Sequence, residues 1–359
     1  MAWRIALLTL FAACSAMSIA CKSDRETSRR AWPQRPIQIS CFADAGGGTD
    51  TVCRAMAAAM EGPLGVKINV TNRPGGAGGI AMNYVWSRDH DGYNWGGFSE
   101  TILPAGVMGG HDTTARDWTY YMVAGAPGVL SVSNSSPIRS LADFVAAAKA
   151  NPGGVRVAAA VTGGLWHTKL VVLAKAAGIE LNVLPYKGSN PSQLAVLSGE
   201  ADAVLTSVSE QAELIKEGKL VPLAMVEAQA YEFPGYGTIP AASADYPQVA
   251  QVPVRQWLGF ALPADTPADV LAQVDAAFEK AIASPEIAQL AKSRQLSLLG
   301  LHGVEANSLA QRMESAWTWL LQEQGMAQVS PEQLKIPRPQ DAAAVDVIPT
   351  QPASAASSN

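Results

Sequence analysis

The sequence predicts an α/β protein built as two doubly wound, Rossmann-like lobes, and three observations carry that prediction. From about residue 32 to residue 330, short β-rich runs alternate with helical patterns across short connections. Such alternation builds parallel sheets covered by helices on both faces. Ten strand-like runs are many for one sheet, which favours two. The chain of 359 residues, 48% hydrophobic, is long enough to give two domains a core each.

Taken in order, the predicted strands are Ile37–Phe42, Lys67–Val70, Tyr93–Phe98, Tyr120–Ala124, Val129–Val132, Val155–Val161, Leu181–Leu184, Ala203–Thr206, Leu220–Val226 and Trp257–Leu262. Each is rich in β-branched, aromatic or aliphatic residues and bounded by turn formers. Helical patterns fall between them near 50–61, 77–88, 140–150, 166–177, 191–199 and 209–217. Val270, Val274, Ala277, Phe278 and Ala281 repeat at three and four residues, as do Leu309, Met313, Ala316, Trp317 and Leu320. Thr266-Pro267 starts the first of these helices, and Asn307 or Ser308 caps the second. From Pro331 the chain carries prolines, alanines and serines with no apolar period, so 331–359 is expected to be a disordered tail.

The N-terminus reads as an export signal. Arg4 supplies a positive n-region, Ile5–Ala13 an apolar stretch too short to span a bilayer, and Ser18-Ile19-Ala20 the small residues that precede cleavage. Small residues directly before Cys21 also suggest a lipobox with Cys21 as lipid site, although Ser18 replaces the usual leucine; soluble export is the alternative. Residues 1–20 are therefore expected to be a signal peptide and 21–31 a solvated tether. The location expected is periplasmic, anchored to a bacterial membrane through Cys21.

Composition excludes several classes. A net charge of −5 argues against a nucleic-acid partner, which needs a basic face. The chain holds no run of eighteen apolar residues, and its four cysteines show no metal-binding spacing. Nucleophile elbow, zincin helix and Walker lysine are all missing, so no catalytic residues, metal or cofactor are expected.

Three glycine-rich loops carry the candidate chemistry. The first, Asp44-Ala45-Gly46-Gly47-Gly48-Thr49-Asp50, joins a predicted strand to a helix, where backbone N–H groups and a helix N-terminus favour a carboxylate or phosphate. Its plain alternative is a tight turn with Thr49 or Asp50 as N-cap. In the second, Gly76, Gly78 and Ala81 formally fit the dinucleotide fingerprint, with Glu100 about twenty residues on. Asn72-Arg73-Pro74 intervenes after the strand, and an exported chain has little access to nicotinamide cofactors; packing of a helix start is the better account. An oxidoreductase built on this loop is the enzymatic rival. The third, Thr162-Gly163-Gly164-Leu165-Trp166-His167, follows a predicted strand as the first does. His167 is either a ligand group or a helix-start histidine capping its own turn.

With these features on the page, the chain resembles the tripartite tricarboxylate transporter substrate-binding proteins, the Bug or TctC family. The resemblance runs through Arg35-Pro36-Ile37, Gly46–Asp50 with Arg54, Asn72-Arg73-Pro74-Gly75 and Asp91-Gly92-Tyr93. It continues through Asn151-Pro152-Gly153, Pro185-Tyr186-Lys187-Gly188-Ser189, Gly199-Glu200-Ala201-Asp202, Gly218-Lys219-Leu220, Trp257-Leu258-Gly259 and Pro263–Pro267. It implies a type II periplasmic binding architecture: lobe 1 from 32–126 plus 250–330, lobe 2 from 127–249, joined by a hinge and closing on a small carboxylate. The ligand would pass to membrane permease subunits; a carboxylate sensor that signals without transport is the alternative, and a monomer is expected.

The resemblance also implies a ligand site of Asp44, Ala45, Gly46, Gly47, Gly48, Thr49 and Asp50 in one lobe and Thr162, Gly163, Trp166 and His167 in the other, with Ser99, Glu100, Thr101 and Ser207 lining the same cleft. Asp44 stands where the family usually has proline, and Glu100 where glycine or serine is common. Two acids beside an anion cradle would repel a second ligand carboxylate, so the expected ligand has one carboxylate plus a cationic or neutral polar part. Trp166 replaces a small polar residue and either stacks on a planar ligand or belongs to the core. Cys41 and Cys53 replace proline and alanine on either side of the loop. They are either a disulfide that stiffens it or two buried thiols.

Overall fold

The computed structural model describes residues 32–251 and 254–341. The expected signal peptide, Cys21, the tether to residue 31, and residues 342–359 of the expected tail lie outside the described residues.

Two mixed sheets organise the chain. The first contains β1 (Ile37–Cys41), β2 (Ile68–Asn72), β3 (Asn94–Ser99), β4 (Trp118–Gly125), β12 (Leu258–Pro263) and β13 (Ser297–Leu301), in the order β13-β4-β12-β3-β1-β2. The second contains β5 (Gly128–Ser133), β6 (Arg156–Ala160), β7 (Asn182–Tyr186), β8 (Ala203–Ser207) and β9 (Leu220–Met225), in the order β7-β6-β8-β5-β9. A hairpin of β10 (Tyr231–Phe233) and β11 (Gly237–Ile239) stands apart.

The alternation predicts parallel sheets, but both sheets are mixed. β1 pairs in parallel with β2 and β3, and β6 with β7 and β8. β12 runs antiparallel to β3 and β4, and β5 antiparallel to β8 and β9. The reversal falls where the chain passes between sheets: β4 leads directly into β5, and the stretch after β9 returns to β12. Strands that carry the chain across enter each sheet from the opposite end.

The helices are α1 (Gly48–Leu64), α2 (Gly79–Trp86), α3 (Leu141–Ala150), α4 (Leu165–Ala177), α5 (Ser189–Ser198), α6 (Val208–Lys216), α7 (Ala268–Ile282), α8 (Pro285–Ser293) and α9 (Gly303–Glu323). The predicted stripe of α7 is buried at Val270, Val274, Ala277, Phe278 and Ala281; that of α9 is buried at Leu309, Met313 and Trp317 and half-buried at Ala316 and Leu320. Trp317 Nε1 donates to Thr168 Oγ1 at 3.1 Å, tying α9 to α4 beneath the second sheet.

The expected disordered tail is corrected for 331–341. Ile336 is 5% exposed, the Pro337 carbonyl accepts from Ser315 Oγ at 2.7 Å and Trp319 Nε1 at 2.9 Å, and the Arg338 guanidinium lies 3.8 Å from the Trp319 ring centroid. One buried isoleucine and two satisfied donors outweigh the absence of helical period in this stretch.

Candidate functional site

A cavity of about 90 Å³ opens between the two sheets, at the carboxyl ends of β1, β3 and β6. Its walls come from Phe42, Ala43, Asp44, Gly47, Gly48 and Thr49 after β1, Ser99, Glu100 and Thr101 at the end of β3, and Gln256 and Leu258 around β12. Facing them are Ala160, Val161, Leu165 and Trp166, then Lys187, Gly188, Ser189, Asn190 and Pro191, and Glu210.

Three helices start at this cavity, and all three have glycine N-caps without a side-chain cap: Gly47 before α1, Gly164 before α4 and Gly188 before α5. A helix N-terminus carries orphan N–H donors and partial positive charge. With no serine or aspartate taking those donors, they are available to an anion.

The first loop is shaped from within. Gly46 has φ +81°, a left-handed conformation that glycine adopts freely, and its N–H donates to Asp50 Oδ2 at 2.9 Å. Asp50 also accepts from Arg54 Nε at 3.1 Å and Asn72 Nδ2 at 2.8 Å, and Asn72 Nδ2 reaches the Ala43 carbonyl at 2.9 Å. Burial pushes the Asp50 carboxyl up, but hydrogen bonds from Arg54, Gly46 and Asn72 outweigh it and hold it below the ordinary 3.8. Asp50 thus stands away from the cavity as the clasp of the loop, with its acceptors already used. Ala45 is not among the cavity walls, and Gly46 lines a small side pocket with Thr51, Asn190 and Glu210.

Glu100 is 2% exposed and accepts from the Trp257 N–H at 3.0 Å. Burial raises its carboxyl to about 8, against the pull of that hydrogen bond and with help from the charge of Glu210. At neutral pH it is therefore mostly protonated and presents a hydrogen-bond donor rather than the expected repelling charge. The acidic wall consists instead of Asp44 and Glu210. Ser207, expected in the cleft, is fully buried as the N-cap of α6: its hydroxyl donates to Glu210 Oε2 at 2.6 Å and accepts from the Glu210 N–H.

In the third loop Trp166 lines the cavity and is also core, 4% exposed, with its ring packed where a Cβ on Gly128 would lie at 2.6 Å. Thr162 lines a neighbouring chamber, while Gly163 and His167 are not among the walls of either. The Gly163 N–H points to His167 Nδ1 at 3.4 Å, and burial lowers the imidazole pKa, so His167 serves its own turn as a neutral ring. Beneath Trp166, Lys169 is buried against Glu227 and donates to the Val226 carbonyl at 3.1 Å, while Glu227 takes the Gly128 N–H at 2.8 Å. This ion pair joins α4 to both passages of the chain between sheets.

Among the wall residues that sequence reasoning missed are Phe42, Lys187, Ser189, Asn190, Glu210 and Gln256. A signal existed for Lys187 and Ser189: Tyr186-Lys187-Gly188-Ser189 is another strand–glycine–helix junction. Glu210 was also readable as the second half of a Ser-x-x-Glu capping box.

Cys41 and Cys53 are both buried free thiols rather than a disulfide. Cys53 Sγ donates to the Gly259 carbonyl at 3.2 Å, and the adjacent Cys41 thiol together with burial pushes the Cys53 thiol well above 9.0. The glycines of the second loop do not form a nucleotide turn. Ala77 is left-handed like Gly76 and Gly78, and Gly79 packs so tightly that a Cβ would lie 2.5 Å from the Gly110 carbonyl. Among the described residues no group of three or more metal-ligating side chains occurs, and no helix is long and apolar enough to cross a membrane.

Two lobes enclosing a cavity lined by uncapped helix starts define a solute-binding protein of the periplasmic type. The sequence agrees: residues 52–326 match the tripartite tricarboxylate transporter family receptor, and the chain belongs to that family. It is a binding receptor, not an enzyme. A relative from Pseudomonas sp. strain P51, described as a UPF0065 protein in the tcbD-tcbE intergenic region, is 28% identical over 292 residues, covering 79% of this chain and 85% of the relative. The periplasmic binding protein BugD superposes with a TM-score of 0.74 at 22% identity, over 82% of this chain and 99% of BugD. A protein from R. palustris solved with adipate gives 0.73 at 22% identity, over 83% and 99%.

Proposed function

We propose that the protein captures a small carboxylate between its lobes and delivers it to the membrane subunits of a tripartite tricarboxylate-type transporter, as a monomer held in the periplasm through a lipid on Cys21. One observation carries the reading: α1, α4 and α5 all begin at one cavity with glycine caps, leaving their donors for an anion. Family membership and the adipate-bound neighbour support a carboxylate as that anion. Donors from both lobes meet the ligand together only when the lobes are closed, so binding shifts the population toward closure.

With Asp44 and Glu210 on the wall, the preferred ligand has one carboxylate and a neutral or cationic polar part rather than three carboxylates. A thermal-shift screen tests this. Monocarboxylic amino, hydroxy or heteroaromatic acids should raise the melting temperature; stabilisation by tricarboxylates alone would overturn it. Delivery is checked by loss of uptake on deleting the gene together with rescue by the wild-type chain.

A further inference from the structure

Beside the inner cavity lies a larger chamber of about 430 Å³. The two share Phe42, Asp44, Val161 and Lys187, which form a waist between them. Beyond the waist the chamber is walled by Pro74, the backbone of Gly75 to Gly78, Thr162, Pro185 and Tyr186, with no further charged side chain. The inner cavity has room for about six to nine water-sized groups. A larger molecule must extend beyond it, and the outer chamber offers far more room than the side pocket of about 40 Å³ beside Asn190 and Glu210.

We propose that the outer chamber is the second half of the ligand site, and that the ligand is an elongated monocarboxylate whose neutral polar part lies at the waist and whose far end is largely apolar. This rests on the carboxylate reading of the inner cavity. The carboxylate meets the helix starts and the body passes between Asp44 and Lys187. The far end lies against Phe42, Pro74, Val161 and Pro185, where the one cation, Lys187, stands at the boundary with the inner cavity together with Asp44. The side chains that supply this surface come from both lobes, so the body adds its own contribution to closure.

Calorimetric titration of the protein with propionate, hexanoate, decanoate and decanedioate tests the assignment. Affinity should rise by about fourfold for each methylene buried between hexanoate and decanoate. Decanedioate should bind at least about tenfold more weakly than decanoate, because its second carboxylate leaves water for a wall that is apolar beyond Lys187 and Asp44. Pro185→Trp, an exposed edge-strand position that lines only the outer chamber, should weaken decanoate by about tenfold and leave propionate within about twofold; Pro74→Trp should act alike. Unchanged propionate binding reports that each variant is folded. Decanoate binding no tighter than hexanoate, decanedioate binding as tightly as decanoate, or equal losses for all acids in both variants would overturn the proposal. Failure of every acid, propionate included, would instead defeat the carboxylate reading, and this assignment with it.

Discussion

Replacing Glu100 with glutamine keeps the shape and hydrogen bonding of a protonated carboxyl while removing its ability to ionise. The side chain is 2% exposed, holds the Trp257 N–H at 3.0 Å, and has its carboxyl raised by burial from 4.5 to about 8. An acid raised on folding binds its proton more tightly in the folded chain than in the unfolded one. Its contribution is fully present below pH 4.5 and is lost as pH climbs toward 8. Between pH 5.5 and 8 the loss works out at about 3 kcal/mol. Glu314 on α9, also raised to about 8 by burial and bonded to the Ala115 N–H at 2.7 Å, makes a parallel loss, so the wild type carries both. Urea denaturation at a series of pH values should show Glu100→Gln losing about 3 kcal/mol less than the wild type across that interval. With a denaturant slope of about 3 kcal/mol/M, the midpoints differ by about 1 M at pH 8 relative to pH 5.5. Parallel curves for wild type and variant would refute the reasoning, because they would mean that Glu100 is ionised in the folded cavity.

Asp50→Ala should destabilise the fold by about 2–3 kcal/mol, since it strands donors of Gly46, Arg54 and Asn72. Asp50→Asn should flatten the acid limb of the stability curve, because a carboxyl held below 3.8 gives stability above that pH that is lost as pH falls; urea titration reads both. Gly259→Ala should destabilise by about 3 kcal/mol or more, as its Cβ would lie 2.0 Å from the Tyr121 carbonyl with backbone on each side; an unchanged melting temperature would contradict that geometry. Ending the chain after residue 330 should lower stability by about 3 kcal/mol through loss of Ile336 burial and the two bonds to the Pro337 carbonyl, whereas ending it after 341 retains them. In a chain starting at residue 22, Cys41 and Cys53 should both react with a thiol reagent after denaturation and neither before; none reactive when denatured would mean a bridge.

The strand–helix alternation made β1 to β9 and β12 readable, because each is a short run rich in β-branched, aromatic or aliphatic residues between turn formers, whether it lies in a sheet centre or, like β2, β7 and β9, at an edge. The hairpin β10–β11 was not, since three-residue strands give no period. Nor was β13, whose Ser-Leu-Leu-Gly-Leu lacks β-branched residues and pairs with β4 through a bulge. The antiparallel strands escaped for a different reason: direction depends on where the chain passes between lobes, and a strand's own residues are the same either way. At the site, the glycine loops were legible because a strand–glycine–helix junction is local. The roles of Asp50 and Ser207 were not. An acid in a helix first turn, or a serine at a helix start, looks identical in sequence whether it faces a ligand or satisfies its own loop.

That ambiguity has a physical resolution in how the helix starts divide. α3 and α8, away from the cavity, are capped by Ser140 and Ser284, and α6 closes its own end with Ser207 and Glu210. α1, α4 and α5 carry glycine instead. Glycine at an N-cap costs only a few tenths of a kcal/mol relative to serine, far less than alanine would. It therefore leaves the donors unoccupied at little loss of helix stability. The three starts on the inner cavity are left open by glycine, whereas α2, α7 and α9 begin elsewhere at Gly78, Pro267 and His302, also without a side-chain cap. Because α6 is closed, it presents Glu210 to the cavity as an acid rather than its N-terminus as a donor. The proposed ligand with a single anionic group rests on three open ends and two acids around one small space: the donors would attract one carboxylate, and Asp44 and Glu210 would oppose a second.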